Sequence, residues 1–257
     1  MRLAVIILTK NEEHNIEGAV KSASFADEVV VLDSGSTDRT QEIAERLGVR
    51  FVVHPMTEEG FAGQRNAALD ETDADWVFYL DADERITDEA AKALQETVAR
   101  NLPAVYRMKR INSAFGQQFR HGALATNFPY RLFPRTEARW QGKVHEYIVS
   151  DLERRKVGGH LLHHTYMTWQ QYFAKMNQYS SFAAREQFEM GKRIGWVRTF
   201  SHAGYAFFRH YVMRRGFLDG TLGFVLCALS GVYVMAKYMK LMNLWRMEDG
   251  KNGKPGA

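Results

Sequence analysis

Short apolar runs alternate with amphipathic stretches through the first hundred residues. The runs predict strands over Leu3–Leu8, Glu28–Leu32, Val49–Val53 and Trp76–Leu80, and the stretches between them predict helices over Asn15–Ser24, Thr37–Leu47, Gly63–Leu69 and from a cap at Thr87 to Arg100. Because the strands are apolar at nearly every position, both faces of their sheet are expected to be covered. The pattern predicts an α/β fold with a mainly parallel central sheet.

The pattern changes after Pro103. Strands are predicted over 104–111 and 130–133, with 144–149 and 157–162 as a further strand pair, and the polar segment 112–127 is predicted to be a loop beside a site. After His164 the chain predicts helices over 168–190, 196–215 and 217–246. These elements indicate a domain over 1–165, divided near residue 100, then a helical C-terminal region over 166–248 and a flexible tail over 249–257.

Charge is divided unequally along the 257 residues. The chain carries 34 Lys and Arg against 30 Asp and Glu, a net charge of +4 with His neutral. Residues 1–100 hold 10 basic and 21 acidic side chains, whereas residues 101–257 hold 24 and 9. The basic half therefore favours an anionic partner: a nucleic acid, an acidic sugar or a membrane surface.

Composition excludes several classes of protein. A hydrophobic fraction of 46% with 25% charged residues is typical of globular proteins. Cys227 is the single cysteine, which excludes an internal disulfide framework and a cysteine-based zinc site and suits a reducing compartment. The apolar N-terminal run has no small-residue cleavage site after it, so we interpret it as a buried strand and expect no secretion signal.

An uncharged run of 17 residues, Gly220–Ala236, lies in the last predicted helix. As a helix it covers roughly 26 Å, slightly less than the ~30 Å of a bilayer core. Nine Lys and Arg but one acid, Asp219, occur between Lys192 and Arg246, together with many aromatic residues. This pattern favours a helix lying on an anionic membrane, and burial in a core or homodimer and a true membrane span remain alternatives.

Polar residues cluster where three of the predicted strands end. The clusters are Thr9–Glu13, Asp33–Asp38 and Asp81–Asp83. Ligands of parallel sheets bind beyond the carboxyl ends of the strands, so the clusters predict one crevice. Neither a GxGxxG nor a P-loop motif is present, which argues against nucleotide-dependent hydride transfer and P-loop phosphoryl transfer.

Two of these clusters contain candidate ligands. Asp81 and Asp83 are separated by one residue, so in an extended strand both carboxylates share a face and reach one divalent cation; the alternative is a solvated acidic turn. Asp33 is either a turn residue or an acceptor for a base N–H or ribose hydroxyl. Ser36 or Thr37 is expected to cap the helix that begins near Asp38.

Together these clusters resemble the family 2 inverting glycosyltransferases, which have the GT-A nucleotide-sugar fold. The matching segments are Ile7–Glu13, Val31–Thr40, Gly63–Leu69 and Leu80–Glu84, in the family's order. Further along, Arg131-Leu132-Phe133 and Trp140-Gln141-Gly142-Lys143-Val144-His145-Glu146 resemble the bacterial subgroup of lipopolysaccharide core β-glucosyltransferases that act on heptose. Residues 1–100 would then be the nucleotide-binding half of the catalytic domain, and 101–165 the acceptor half.

The resemblance implies a role for each residue of these motifs. Thr9, Asn11, Glu12, Asp33, Ser36, Arg65 and Asp81 would bind the nucleotide sugar, and Asp83, with Asp81 and His164, would hold Mg²⁺ or Mn²⁺ at the diphosphate. For Arg65 an exposed helix arginine, and for His164 a structural histidine, are the alternatives. The metal's task would be to neutralise the departing nucleoside diphosphate.

Inverting sugar transfer needs one general base on the acceptor side. Acidic residues are scarce between 101 and 185, where only Glu137, Glu146, Asp151 and Glu153 occur. Glu146 is the candidate, because it lies in the acceptor half and matches the subgroup's motif. His145 is the alternative base, or the residue that orients Glu146, and an exposed strand residue is the structural alternative for Glu146.

The resemblance implies a UDP-sugar donor, with glucose as the expected sugar, and an anionic saccharide or lipid-linked acceptor such as inner-core heptose. A protein acceptor stays open, as does a homodimer. We expect a cytoplasmic enzyme at the inner face of the cytoplasmic membrane. A nucleotidyltransferase would need a glycine-rich loop near the first strand, yet Thr9–Asn15 contains no glycine. A nucleic-acid-binding protein would leave the acidic crevice without a purpose, so no nucleic acid is expected as a partner.

Overall fold

The computed structural model describes residues 1–142 and 146–251. The strands are β1 (Leu3–Thr9), β2 (Glu28–Asp33), β3 (Arg50–Val53), β4 (Trp76–Asp81), β5 (Glu84–Ile86), β6 (Val105–Ala114), β7 (Gln117–Phe119), β8 (Tyr130–Pro134), β9 (Arg139–Gln141), β10 (Tyr147–Val149) and β11 (Arg154–Tyr166). The helices are α1 (Ile16–Ser22), α2 (Thr40–Arg46), α3 (Gly60–Leu69), α4 (Asp88–Arg100), α5 (Trp169–Glu189), α6 (Trp196–Phe208) and α7 (Gly220–Lys251). Short helical turns occupy Gly122–Leu124, Arg209–Met213 and Gly216–Asp219.

The central sheet has the order β3-β2-β1-β4-β8-β6-β11-β5, and β7 pairs with the end of β6. β3, β2, β1 and β4 run parallel to one another. β8 pairs antiparallel with β4 and β6, and β5 pairs antiparallel with β11. The α/β fold class is confirmed, and the nucleotide-binding half has the parallel sheet that its continuous apolar strands predict.

Helices cover both faces of the parallel strands. In β1, Val5 and Ile7 belong to the cluster that contains Leu94 of α4, whereas Ala4 and Ile6 belong to the cluster that contains Leu69 of α3. All four β1 side chains are fully buried. Burial of an aliphatic side chain of valine size or larger stabilises a fold by about 1.5–3 kcal/mol, which explains why the strand is apolar at every position from Leu3 to Leu8.

Thr87 caps α4 as predicted, and its side chain accepts the N–H of Ala90. A glycine lets β11 approach the same turn of the helix. Gly159 has φ +73°, and a Cβ there would lie 2.4 Å from the Ala90 Cα, so any side chain would push the strand away from the helix. This contact places the strand that leads to His163 and His164.

The predicted pairing of 144–149 with 157–162 is wrong. β10 pairs antiparallel with β9 to form a separate two-stranded sheet, and β11 joins the central sheet. The two strands were apolar and close in sequence, which suggests a hairpin, but pairing depends on which edges are available. The strand β5 within the acidic motif was not predicted.

The segment 112–127, predicted to be a loop, contains regular structure. β6 continues to Ala114, β7 follows it, and a helical turn covers Gly122–Leu124. The chain divides into two compact units, residues 1–111 with 127–164 and residues 112–126 with 165 onward, so this segment belongs with the helices.

Three helices form most of the second unit. Ala184 of α5 packs with Tyr238 and Leu241 of α7. The predicted helix over 196–215 ends at Phe208 and continues as the wider turn Arg209–Met213. The last helix continues to Lys251, and the remainder of the predicted tail lies outside the described residues. By length and composition alone, the stretch Gly216–Gly250 is the one described helix that would suffice to cross a membrane, and 22% of its most apolar window is buried.

Candidate active site

The loops that follow β1 and β2 are held together by side chains of the predicted crevice. Asn11 has φ +55°; its backbone N–H donates to Ser36 Oγ at 2.7 Å, and its side-chain oxygen accepts the Thr37 N–H at 2.8 Å. Asp33 is 2% exposed and accepts the N–H groups of Gly35 and Ser36 at 2.9 and 2.7 Å. The structure therefore brings Asn11, Asp33 and Ser36 together at the carboxyl ends of two adjacent parallel strands.

Ser36 and Thr37 do not cap the next helix. α2 begins at Thr40, and Asp38 Oδ1 accepts the Thr40 N–H at 3.1 Å. The prediction was wrong because the Ser36 hydroxyl donates to Asp33 and the Thr37 N–H donates to Asn11, so both residues hold the loop instead. Local sequence identifies a turn-forming residue but not which of several neighbours it contacts.

Thr9 and Glu12 lie at the carboxyl end of β1, in the same crevice. Thr9 is 5% exposed, and its hydroxyl has no hydrogen-bond partner among residues 1–142 and 146–251. The Glu12 backbone N–H donates to Thr40 Oγ1 at 2.9 Å, and its carboxylate accepts the Asn15 side chain at 2.7 Å. A buried hydroxyl without a partner carries a desolvation cost, which a ligand's polar group would offset.

Arg65 is buried, not an exposed helix arginine. It is 5% exposed, and its guanidinium carbon lies 4.7 Å from the centre of the Trp140 ring and 5.5 Å from that of Tyr79. Its Nη2 lies 3.3 Å from Asp81 Oδ1 and 3.4 Å from Glu146 Oε1. Arg65 thus joins the carboxylate that ends β4 to the candidate general base.

Two motifs that are far apart in the sequence meet beside Arg65. The Asn66 side chain donates to the Trp140 carbonyl at 2.8 Å and accepts the Trp140 N–H at 2.9 Å. Trp140 lies in β9, and Glu146 immediately precedes β10, the partner of β9. This pair of hydrogen bonds fixes the hairpin that carries Glu146 against the helix that carries Arg65.

Asp81 lies among arginines. Arg131 Nη1 donates to Asp81 Oδ1 at 3.2 Å and Nη2 to Oδ2 at 2.5 Å, and Arg110 lies 4.0 Å from Oδ2. The fully buried carboxylate of Glu84 accepts Arg110 at 2.8 Å and Arg131 at 3.0 Å. Burial raises the pKa of Asp81, but the charges of Arg131 and Arg65 outweigh it and hold that pKa well below its usual range. Asp81 is therefore ionised at neutral pH.

Asp83 has different partners from Asp81. β4 ends at Asp81 and the chain turns over Ala82 and Asp83, so the alternation of side chains along an extended strand does not reach Asp83. Asp83 Oδ2 lies 3.2 Å from His163 Nε2, and the His164 N–H donates to the Asp83 carbonyl at 2.8 Å. Asp81 is bound to arginines, whereas Asp83 lies beside the two histidines of β11.

The donor set at Asp83 suits a divalent cation that also binds a substrate. In the described ranges no group of three or more His, Cys, Asp and Glu side chains is arranged to hold a metal. Mg²⁺ in phosphate-transferring sites takes one or two carboxylates as ligands, together with substrate phosphate oxygens and water. Asp83 can supply one such carboxylate. Burial lowers the pKa of His164, with Arg85 and His163 acting in the same direction, which favours the neutral, metal-binding imidazole.

Glu146 lies on the wall of an open cleft of about 580 Å³. The lining residues are Arg65, Asp81, Arg110, Pro129, Tyr130, Arg131, Trp140, Glu146, Tyr147, Ile148 and Arg154. The Glu146 side chain is 22% exposed, so a ligand in the cleft can reach its carboxylate. His145, the alternative base, lies outside the described residues.

A model of the glycosyl transferase family 2 matches residues 4–150, which is more than half of the chain. The chain belongs to this family. The matched region contains the crevice at β1 and β2, both acidic residues of the Asp81–Asp83 motif and Glu146. The family match therefore falls on the part of this glycosyltransferase that contains most of the cleft residues.

Proteins that are similar over most of this chain include named glycosyltransferases. An uncharacterised glycosyltransferase of Rickettsia typhi is 28% identical over 257 residues, covering 95% of this chain and 86% of that protein. The lipopolysaccharide core biosynthesis glycosyltransferase LpsC of Rhizobium meliloti is 29% identical, covering 93% of this chain and 91% of its own. The similarity extends beyond residues 4–150 into the helical region.

Solved structures overlap with part of the fold. TarS of S. aureus gives a TM-score of 0.45 at 18% identity, covering 71% of this chain and 40% of that one. Glucosyl-3-phosphoglycerate synthase from Mycobacterium tuberculosis, solved with Mn²⁺ and UDP, gives 0.34 at 25% identity over 45% of this chain and 44% of that one. Neither overlap is large enough to transfer a ligand or a reaction to this glycosyltransferase.

Four side chains that contact the candidate site residues were not chosen from the sequence: Glu84, Arg110, Arg131 and His163. Glu84 and Arg131 stand inside quoted motifs, which was the signal available, but nothing local shows that they pair. Arg110 lies in β6, outside the quoted motifs, and His163 directly precedes His164, the predicted metal ligand. Their roles follow from contacts between elements that are 26 to 80 residues apart in sequence.

Proposed function

We propose that this glycosyltransferase moves a sugar, with glucose as the expected one, from a UDP-sugar to an anionic saccharide acceptor with inversion at the anomeric carbon. The observation that carries the proposal is the cleft in which the Glu146 carboxylate and Asp81 both contact Arg65. A base on one wall and the end of the nucleotide-binding strand β4 on another leave room for an acceptor hydroxyl and a donor sugar between them.

In this reaction the acceptor oxygen bonds to the anomeric carbon as the bond to the diphosphate oxygen breaks. Glu146 accepts the proton of the attacking hydroxyl. Asp33, Asn11, Ser36, Thr9 and Glu12 bind the nucleoside. Arg65, held by the rings of Trp140 and Tyr79, stabilises negative charge on the departing diphosphate.

A divalent cation, Mg²⁺ or Mn²⁺, bound by Asp83 and His164, would neutralise the diphosphate when present. The arginines around Asp81 disfavour a second cation at that carboxylate, because like charges repel. We therefore assign Asp81 to the organisation of the arginines and to the nucleotide sugar.

The acceptor end of the cleft combines aromatic rings with an arginine. Tyr130 and Tyr147 line it, and the Arg154 guanidinium carbon lies 5.0 Å from the centre of the Tyr130 ring. Arg154 Nη2 donates to the Ile148 carbonyl at 2.7 Å, and no described acidic side chain forms an ion pair with it. The tyrosine rings can stack on a sugar, and the guanidinium of Arg154 can bind an anionic group. This end of the cleft therefore suits a saccharide that carries phosphate or carboxylate.

Arg154→Ala is expected to raise the KM for a heptose-containing core lipid about tenfold or more, since hydrogen bonds to charged groups contribute about 1.5–3 kcal/mol. Binding of UDP should not change. Steady-state kinetics at saturating donor measures the effect. Arg155→Ala is the matched control, because the neighbouring Arg155 pairs with Glu153 and is not among the cleft residues. An unchanged KM in Arg154→Ala would contradict the assignment of this end of the cleft.

We also propose that the acceptor is membrane-associated and that the enzyme works at the cytoplasmic face of the inner membrane. The support is the similarity to LpsC, named for lipopolysaccharide core biosynthesis, and the basic composition of residues 101–257. A lipid-linked acceptor also fits the name of a shorter match, a Campylobacter jejuni glucosyltransferase of an undecaprenol-linked glycan, 27% identical over 37% of this chain and 34% of that protein.

Calorimetric titration with UDP and with UDP-glucose, each with and without Mn²⁺, tests the donor assignment. UDP is expected to bind more tightly with Mn²⁺, because Asp83 would hold the cation and the cation would neutralise charge on the diphosphate. Binding of a different nucleoside diphosphate in place of UDP would change the donor but keep the mechanism. Absence of nucleotide binding in the presence of metal would contradict the proposal.

A further inference from the structure

The helix α6 combines a buried stripe of small residues with exposed aromatic side chains beside it. Thr199 and Ala203 are buried, and a Cβ on Gly231 of α7 would lie 3.0 Å from the Ala203 carbonyl oxygen, so the face of small residues packs closely on α7. Trp196 and Phe200 lie beside this stripe and are 55% and 56% exposed. At about 100° per residue, their line along the helix continues to Phe207, two turns after Phe200.

Aromatic contacts extend the apolar face beyond the end of α6. The Phe207 ring stacks on Tyr211 at 5.2 Å, and Phe217 and Phe224 pack edge-on against Tyr211 at 6.0 and 5.5 Å. Trp196 and Phe200 stack on each other at 6.1 Å, and helical periodicity places Phe207 on the same side of α6 two turns after Phe200. We call Trp196, Phe200, Phe207, Tyr211, Phe217 and Phe224 the aromatic strip. Trp196 and Phe200 at one end are more than half exposed, and Phe217 and Phe224 at the other end are 49% and 47% exposed. An exposed apolar surface of this kind marks an interaction site.

Cationic side chains are concentrated in the same segment as the aromatic strip. The exposed arginines of this segment are Arg198, Arg209, Arg214 and Arg215. At about 100° per residue Arg198 lies on the side of α6 opposite Phe200, whereas Arg214 and Arg215 stand in sequence between Tyr211 and Phe217 of the strip. Between Met190 and Met247 the single acid is Asp219, and its side chain is 8% exposed and contacts His121 Nδ1 at 3.1 Å. Hence no acid of this stretch compensates the arginines, and the exposed side chains of this segment are both apolar and positive.

We propose that the aromatic strip inserts into the headgroup region of an anionic bilayer, with α6 parallel to the membrane plane and Arg214 and Arg215 on lipid phosphates. The inference rests on the proposed function only in that a membrane-linked acceptor gives the contact a purpose. Rings of tryptophan, tyrosine and phenylalanine partition into the interfacial region, and each arginine near an anionic surface adds to binding.

A second copy of the chain fits this surface less well than a bilayer does. A two-fold dimer would place the same patch on both sides of the interface, so Arg214 and Arg215, which adjoin Tyr211 and Phe217 in the sequence, would come close to those of the other copy. Like charges brought together across an interface oppose association. An anionic lipid surface instead supplies the opposite charge.

The packing of α7 also favours an in-plane arrangement over a membrane span. Lys240 of α7 donates to the Asn177 carbonyl and to Ser180 Oγ of α5 at 2.7 and 2.8 Å. Spanning by α7 would therefore carry α5, with its charged Lys175 and Arg185, into the hydrocarbon region. Charged side chains at the bilayer centre cost several kcal/mol each, whereas an in-plane α6 requires no such burial.

Flotation with lipid vesicles tests the proposal on the full chain. The wild type is expected to float with vesicles of phosphatidylethanolamine containing about 30 mol% phosphatidylglycerol and to bind phosphatidylcholine vesicles far less. Trp196→Ser with Phe200→Ser should reduce the partition coefficient at least about tenfold, because two exposed rings are lost. Arg214→Glu with Arg215→Glu should reduce it by at least as much and remove most of its dependence on salt.

Matched variants control for exposure and charge. Phe182→Ser removes a ring that is 53% exposed on α5 and should float as the wild type does. Arg46→Glu with Arg100→Glu makes the same change of charge on exposed arginines of the first unit and should also leave binding unchanged. Equal losses in the control and test variants would overturn the proposal, as would a fraction that resists extraction with high salt and carbonate, the behaviour of a spanning helix.

Two further measurements separate the other outcomes. Sedimentation that shows a dimer converted to a monomer by Trp196→Ser with Phe200→Ser would assign the strip to a second copy and overturn the proposal. Titration with UDP and Mn²⁺ should give the same affinity for the wild type, for Trp196→Ser with Phe200→Ser and for Arg214→Glu with Arg215→Glu. Normal UDP binding without flotation would refute the membrane contact alone, and flotation without nucleotide binding would refute the proposed function alone.

Discussion

Asp83→Asn is expected to reduce metal-dependent donor turnover at least about a hundredfold while leaving the fold intact. Loss of a cation that neutralises the leaving diphosphate removes several kcal/mol of stabilisation, and each 1.36 kcal/mol corresponds to a factor of ten in rate. Asparagine has the shape of aspartate but lacks the charge. The backbone carbonyl of residue 83 can still accept the His164 N–H in the variant. Cooperative binding of Mn²⁺ and UDP, followed by calorimetry, should weaken in parallel.

The control for this variant is Asp73→Asn, an exposed aspartate in the loop before β4. It should leave both turnover and Mn²⁺-dependent UDP binding unchanged. Circular dichroism and thermal unfolding establish that each variant is folded. Near-normal turnover with unaltered Mn²⁺ dependence in folded Asp83→Asn would contradict the assignment of Asp83 as a metal ligand. The Arg65 guanidinium would then be the remaining cation at the diphosphate.

Glu146→Gln is expected to lower the rate of sugar transfer by about 10²–10⁴-fold, the contribution of a positioned general base. Glutamine retains the size of the side chain and an oxygen that can accept from Arg65, so the cleft should keep its shape. UDP-glucose binding should therefore persist. Single-turnover transfer to the acceptor, with donor affinity measured separately by calorimetry, distinguishes a missing base from a disturbed site.

Glu137→Gln is the matched control, since Glu137 is an exposed acid of the acceptor half that does not line the cleft. Its transfer rate should equal that of the wild type. An active Glu146→Gln enzyme would refute the role of Glu146 and move the base to His145 or another residue. Loss of donor binding in the same variant would instead indicate that Glu146 acts by positioning Arg65.

The parallel strands and their polar ends were predicted well because each depends on adjacent residues. β1 is apolar from Leu3 to Leu8 because its residues enter cores on both faces of the sheet, so the pattern is visible in six consecutive positions. The cap at Thr87 is equally local. The pairing of β10 with β9 was missed because neither strand's sequence specifies its partner's edge.

The sequence by itself determined the family, the α/β order of the first hundred residues and the residue types that a sugar-transfer site requires. Only the tertiary structure decided how those residues are divided. Asp81 and Asp83 were expected to share one cation, but the chain turns after Asp81, and Arg65, Arg110 and Arg131 arrive from α3, β6 and β8 to bind its carboxylate. Electrostatic partners are set by distance in space, and no local pattern encodes a distance between residues 50 positions apart.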